Sequence, residues 1–152
     1  MRLTLWTDYA FRTLIYVGTR GDELSTIADI ARRFDISRSH LMKIVNHLEQ
    51  GGYLETIRGR NGGIRLKRLP ADIHVGAVVR DTEEELAVIG CLGESNFCAI
   101  ERCCVLKGVL HEAMQAFLRV LDEYTLADLI APRSKRFQSL GLTAATFAST
   151  GR

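Results

Sequence analysis

No stretch of this 152-residue chain comes near the roughly 18 consecutive apolar residues that a membrane-spanning helix requires. The opening residues, Met1-Arg2-Leu3-Thr4-Leu5-Trp6-Thr7-Asp8, lack an apolar core and carry an early acid. They do not read as a secretion signal, and the expected location is the cytoplasm. No internal repeat is visible. The four histidines (His40, His47, His74, His111) are scattered, with no evident nucleophile-and-base pair, so the pattern does not read as an enzyme. No Cys-x-x-Cys occurs, which argues against the paired knuckles of structural zinc. What remains is the composition of a soluble globular protein, 47% hydrophobic and 25% charged. The length suits one core, or a small DNA-binding unit with an appended dimerisation element.

The net charge of +2 hides an uneven distribution. Residues 1–70 hold 12 Lys/Arg against 7 Asp/Glu, a net +5. Residues 71–132 hold 4 against 11, a net −7, and residues 133–152 hold 4 against none. A basic first half beside an acidic second half suggests that one surface meets a polyanion and another does not.

Periodicity predicts a first helix over about 7–19, with Phe11, Leu14 and Ile15 at helical spacing and Thr7 or Thr4 as its cap. Thr26, followed three residues later by Asp29, opens a second helix with the stripe Ile27, Ile30, Ala31 and Phe34. After a short Asp35-Ile36 turn, Ser37 caps a third helix that ends near Gly51-Gly52. Two short helices joined so closely form a helix-turn-helix. Strand formers at 53–58 and 64–67 flank Gly59-Arg60-Asn61-Gly62-Gly63, a turn sequence with a strong hairpin signal in Asn-Gly. The expected fold is therefore mainly α: a winged helix-turn-helix with a β-hairpin wing and a long dimerisation helix.

That long helix is expected over about 103–124, with Leu106, Val109, Leu110, Ala113, Phe117, Val120, Leu121 and Tyr124 on one stripe. At 1.5 Å per residue it would be roughly 33 Å long, too long an apolar face for the DNA-binding unit alone to cover. Its natural partner is the same helix of a second subunit. Thr125-Leu126-Ala127-Asp128 opens a last short helix. The domain reading is 1–70 for the winged helix, 71–102 for a short helix and cysteine-rich loop, and 103–131 for the dimerisation and terminal helices. The aperiodic basic tail, 132–152, is expected to be disordered.

With Leu41, Ile44, Val45 and Leu48 buried, the opposite face of the third helix carries Ser39, Met42, Lys43, Asn46 and His47, with Ser37 and Arg38 at its start. Such groups suit base edges in the major groove, and free amides at the helix start suit phosphate. The wing offers Arg58, Arg60, Asn61 and Arg65, and a narrow arginine-tipped hairpin suits the minor groove. The competing reading is a solvated polar face used for protein contacts.

Cys91, Cys98, Cys103 and Cys104 lie within 14 residues. In a chain without a secretion signal, such a cluster points to metal or redox chemistry rather than a disulfide framework. The wide spacings suit an iron–sulphur cluster better than zinc. Here the chain resembles the winged-helix iron–sulphur regulators of the NsrR/IscR family, and most of all the branch that responds to nitric oxide. The likeness rests on Leu3–Ala10, Ile36–Leu41, Lys43–Asn46, Arg58–Leu66, the cysteine loop and Asp122–Leu129, and spans about residues 1–130. Lys107 stands where the IscR branch carries a histidine, so a histidine ligand of that kind is absent.

The resemblance implies ligands at Cys91, Cys98 and Cys104, because Cys104-Val105-Leu106-Lys107 matches the family's third cysteine; Cys103 is either an inert neighbour or its replacement. It further implies a fourth ligand, Asp8, from the partner subunit. The alternative role of Asp8 is a first-turn acid favoured by the helix dipole. A carboxylate is a weaker, more exchangeable iron ligand than a thiolate. The implied protein is a homodimeric repressor of a near-palindromic double-stranded DNA operator, with a four-iron cluster favoured over a two-iron one and nitric oxide as signal. Alternatives are a sensor of iron, cluster supply or thiol redox state on the same fold, or a small iron–sulphur electron carrier.

Overall fold

The computed structural model describes residues 3–84, 86 and 104–131. Cys91, Cys98, Cys103 and the 132–152 tail lie outside them. The element order is α1 (Leu5–Thr19), α2 (Ile27–Phe34), α3 (Arg38–Gln50), β1 (Leu54–Ile57), β2 (Gly63–Leu66), a 3-10 turn (Pro70–Asp72), α4 (Val75–Thr82), α5 (Val105–Asp122) and α6 (Leu126–Ile130). This is a winged helix-turn-helix followed by a long helix.

Hydroxyl caps set most of the helix starts. Thr26 accepts from the Asp29 N–H and Ser37 from the His40 N–H, each satisfying an amide that the helix leaves free. Thr125 and Asp128 complete a reciprocal capping box on α6. Between α2 and α3 the chain reverses at Asp35, whose φ of 53° is left-handed, a conformation that Asp tolerates better than most residues. Leu14, Ile30, Leu41, Ile44, Leu48 and Leu54 are fully buried where α1, α2, α3 and β1 meet. Each such side chain contributes roughly 1.5–3 kcal/mol relative to exposure.

The wing forms the hairpin expected around the glycine-rich turn, shifted by one residue. Ile57 pairs with Gly63, so residues 58–62 form the loop. The loop closes through the Gly62 N–H, which donates to the Gly59 carbonyl at 3.0 Å. A Cβ on Gly62 would lie 2.2 Å from the Ile57 carbonyl oxygen, and one on Gly63 would lie 2.8 Å from that of Ser25. Glycine is required here by close backbone approach. Main-chain bonds between Ser25 and Ile64, at 2.9 and 2.7 Å, pin the wing to the segment before α2.

The expected stripe on the long helix divides in two. Met114 and Leu118, outside that stripe, are the buried positions and pack on Val79 of α4 with Phe11 and Leu3. Phe117 and Leu121 are half-buried at the same contact. Leu106, Val109 and Val120 are 57%, 54% and 54% exposed, so the chain's own core leaves them uncovered. The apolar arc of α5 is therefore wider than one contact needs. Helix α5 is also clamped to α4 by Arg80, whose guanidinium donates to both Asp122 oxygens at 2.7 and 2.5 Å. That guanidinium holds the Asp122 carboxyl below its ordinary value. Among the described residues, no helix is long and apolar enough to cross a membrane.

Replacing Gly62 by alanine should destabilise the protein by about 1–3 kcal/mol, because the carbonyl it meets is fixed backbone. Asn61→Ala, at an exposed neighbour, should stay within about 0.5 kcal/mol of the parent. Thermal unfolding of the two variants checks the difference.

Candidate functional site

The recognition helix α3 presents Arg38, Ser39, Met42, Lys43 and Asn46 to solvent. Ser39, Lys43 and Asn46 fall at helical spacing on one line, opposite the buried Leu41, Ile44, Val45 and Leu48. Met42 is 54% exposed, an apolar group available to a thymine methyl. Ser37 lies at the helix start, and its hydroxyl is engaged as the cap.

His47 differs from the expectation. It is half-buried, edge-on to Trp6 at a ring separation of 5.8 Å, and its Nε2 donates to the Asp81 carbonyl at 2.8 Å. It faces α1 and α4 and takes no part in the open face. On the wing, Arg58, Arg60 and Asn61 are exposed at the tip. Arg65 instead pairs with Glu55 across the ladder at 2.6 Å.

The ion pairs sort the cations of the basic half. Arg12 pairs with Asp8, Arg20 with Glu23, Arg32 with Asp29 and Arg65 with Glu55. Arg38, Lys43, Arg58 and Arg60 have no ion-pair partner among the described residues. The four cations on the recognition helix and wing tip thus keep their charge for an external anion. Exposed pairs contribute little to stability, so the effect of this sorting is on the field and not on the fold.

Of the candidate cluster ligands, the described residues include Cys104 and Asp8. Cys104 is a half-buried free thiol at the N-cap of α5, where its side chain makes no capping bond. The sulphur is therefore not committed to holding the helix. Asp8 lies half-exposed in the first turn of α1, 2.9 Å from Arg12. Among the described residues no three metal-ligating side chains converge. An uncommitted thiol with three more cysteines upstream, and a half-exposed carboxylate, fits an iron–sulphur donor set in chemistry.

Reasoning from sequence missed the residues that hold the root of the cysteine segment. Glu83 is buried, and one of its carboxylate oxygens accepts from the Thr4 N–H at 2.7 Å, from the Thr4 hydroxyl at 3.0 Å and from the Thr7 hydroxyl. Three donors offset the cost of burying a carboxylate. Asp81, two residues earlier, accepts from the Tyr53 hydroxyl. Burial, with Asp81 beside it, pushes that phenol above its ordinary value and keeps it a donor. Neither pairing has a local signature, since the partners lie 28 and 76 or more residues apart.

The model of the Rrf2 family, iron-dependent transcriptional regulators, matches residues 3–132. The chain is 54% identical over 136 residues to the HTH-type transcriptional regulator NsrR of Geobacillus kaustophilus, across 88% of this chain and 92% of that protein. It is 51% identical over 132 residues to the regulator of the same name from Bacillus subtilis, across 86% and 90%. Among solved structures, T. potens IscR matches with a TM-score of 0.72 at 24% identity over 90% of each chain. CymR, the global cysteine regulator of B. subtilis, matches at 0.69 and 23%, over 86% of this chain and 97% of its own. These last two likenesses concern the fold.

Lys43→Ala, Arg58→Ala and Arg60→Ala should each weaken binding to duplex DNA and lower the salt-dependence slope by about one. Arg20→Ala, whose cation is already paired, should leave the slope unchanged. Fluorescence anisotropy across a salt series measures both.

Proposed function

The chain belongs to the Rrf2 family of iron-dependent transcriptional regulators, and we propose that it is a nitric-oxide-responsive repressor whose iron–sulphur cluster sets its affinity for a near-palindromic DNA operator. The observation that supports this most is the close identity to the NsrR regulators along nearly the whole chain. A recognition helix and wing tip that keep their cations unpaired agree with it.

The protein acts as a homodimer in this reading. The exposed strip of Leu106, Val109 and Val120 on α5 is the surface that a second copy covers. Two recognition helices are then held at a fixed separation, which two operator half-sites match.

Cys91, Cys98 and Cys104, with Asp8 of the second copy, are the residues that would hold the cluster, four-iron by preference and two-iron otherwise. When bound, the cluster supplies iron that nitric oxide can reach. Cys104 fixes the first residue of α5, while Cys91 and Cys98 lie on the segment that leaves α4. Holding all three together sets the path between those helices. Asp8 contacts Arg12 through one oxygen, so the carboxylate has an intramolecular partner whether or not its other oxygen is engaged by a second copy. Ser37, Arg38, Ser39, Met42, Lys43, Asn46, Arg58, Arg60 and Asn61 form the DNA-reading set in this proposal.

The test uses protein isolated without air and a duplex selected by it from a random pool. Titration with nitric oxide should bleach the visible iron–sulphur absorption and weaken DNA binding in step, by roughly 5–150-fold. Alanine at Cys91, Cys98 or Cys104 should give the weakened state without nitric oxide. A cluster that reacts while DNA binding persists would move the signal to iron or redox state, and protein without a visible band would return the cysteines to thiol chemistry.

A further inference from the structure

We infer that Asp81 is the positioning residue through which the cysteine segment acts on the recognition helix; this rests on the cluster reading above. Asp81 stands in the last turn of α4, just before the chain leaves for the cysteines. Its two oxygen-bearing groups hold two different parts of the DNA-reading unit. The carboxylate accepts from the hydroxyl of Tyr53, a buried residue at the root of the wing. The main-chain carbonyl accepts from His47 Nε2 on α3 at 2.8 Å.

The neighbouring residues make this a lever rather than a lone contact. Thr82 and Glu83 bind Thr7 and Thr4 at the start of α1, so the end of α4 is fixed against that helix on one side. Arg80 clamps α4 to Asp122 of α5, the helix that begins at Cys104. The cysteine segment therefore continues directly from α4 at one end and runs at the other into α5, which packs on Val79 through Met114 and Leu118 and is held by Arg80 at its far end. A displacement at either end reaches Asp81, whose contacts with α3 and the wing root are two hydrogen bonds. Such bonds are made or lost over less than an ångström, which suits a two-state switch.

Tyr53 is itself held by Arg68, which stacks over its ring at 5.1 Å and donates to the Gly51 carbonyl at 2.9 Å. The Asp81 carboxylate thus bears on a fixed corner between α3 and β1. His47 is likewise fixed edge-on against Trp6. Removing the Asp81 bonds should leave both rings in place and remove only the tie to α4.

The experiment compares the full chain, cluster-loaded and cluster-free, in the parent and in Tyr53→Phe, His47→Phe, Asp81→Ala and Asp81→Asn. Duplex DNA selected by the loaded parent is the probe. Hydrogen exchange of α3 and of the cysteine segment, measured without DNA, is the second readout. In Tyr53→Phe, His47→Phe and Asp81→Ala the loaded and cluster-free affinities should converge to within about threefold, against the roughly 5–150-fold expected of the parent. Asp81→Asn, whose amide oxygen still accepts from Tyr53, should keep the parent's ratio. Cluster loss should raise exchange in the cysteine segment of every variant but in α3 only of the parent and Asp81→Asn. A merely structural role would weaken both states equally and leave the ratio intact, and that result overturns the inference alone. A parent in which cluster loss changes neither exchange nor affinity overturns it together with the cluster reading.

Discussion

A carboxylate removed from water must find donors, and Glu83 finds all of its within one turn of another helix. Thr4 and Thr7 supply three of them to a single oxygen. The rest of the molecule is arranged around that knot. It fixes the end of α4 against the start of α1, and α1 in turn packs on α3 through Trp6 and His47. It also determines which threonine caps α1: Thr4 accepts from the Thr7 N–H, while the Thr7 hydroxyl is drawn inward to Glu83. An unpartnered acid in that place would cost several kcal/mol.

Charge is organised on the same economical plan. Four acids of the N-terminal half stand beside particular arginines, and the four cations of α3 and the wing tip are among those without an ion-pair partner among the described residues. Net charge alone says only that this half is basic. The pairing pattern says which cations keep their charge, and four of them lie on the surface of a helix-turn-helix suited to a groove.

Much of the fold was legible because its signals are local. Hydroxyl caps at Thr26, Ser37 and Thr125, the left-handed Asp35 between two helices, and strand formers around a glycine-rich turn each declare themselves within a few residues. Illegible features depend on distant partners. A periodic stripe shows which arc of α5 is apolar, but not which half of the arc meets the parent core, and Met114 and Leu118 prevailed there because Val79 and Phe11 lie opposite. His47 lies near the predicted DNA face by spacing, yet Trp6 and Asp81 claim it. The bridge from Ser25 to Ile64, which ties the wing to the segment before α2, has no local signal either. Of the cluster ligands, the family motif located candidates that spacing alone left open.

The wing's attachment has an evolutionary consequence. Its register is held by main-chain bonds between Ser25 and Ile64 and by the close approach at Gly62 and Gly63, none of which uses the side chains of Arg58, Arg60 or Asn61. Those three side chains are exposed at the tip. A lineage can therefore change the charge and hydrogen-bonding groups that the tip presents without reworking the bonds that hold the wing in place.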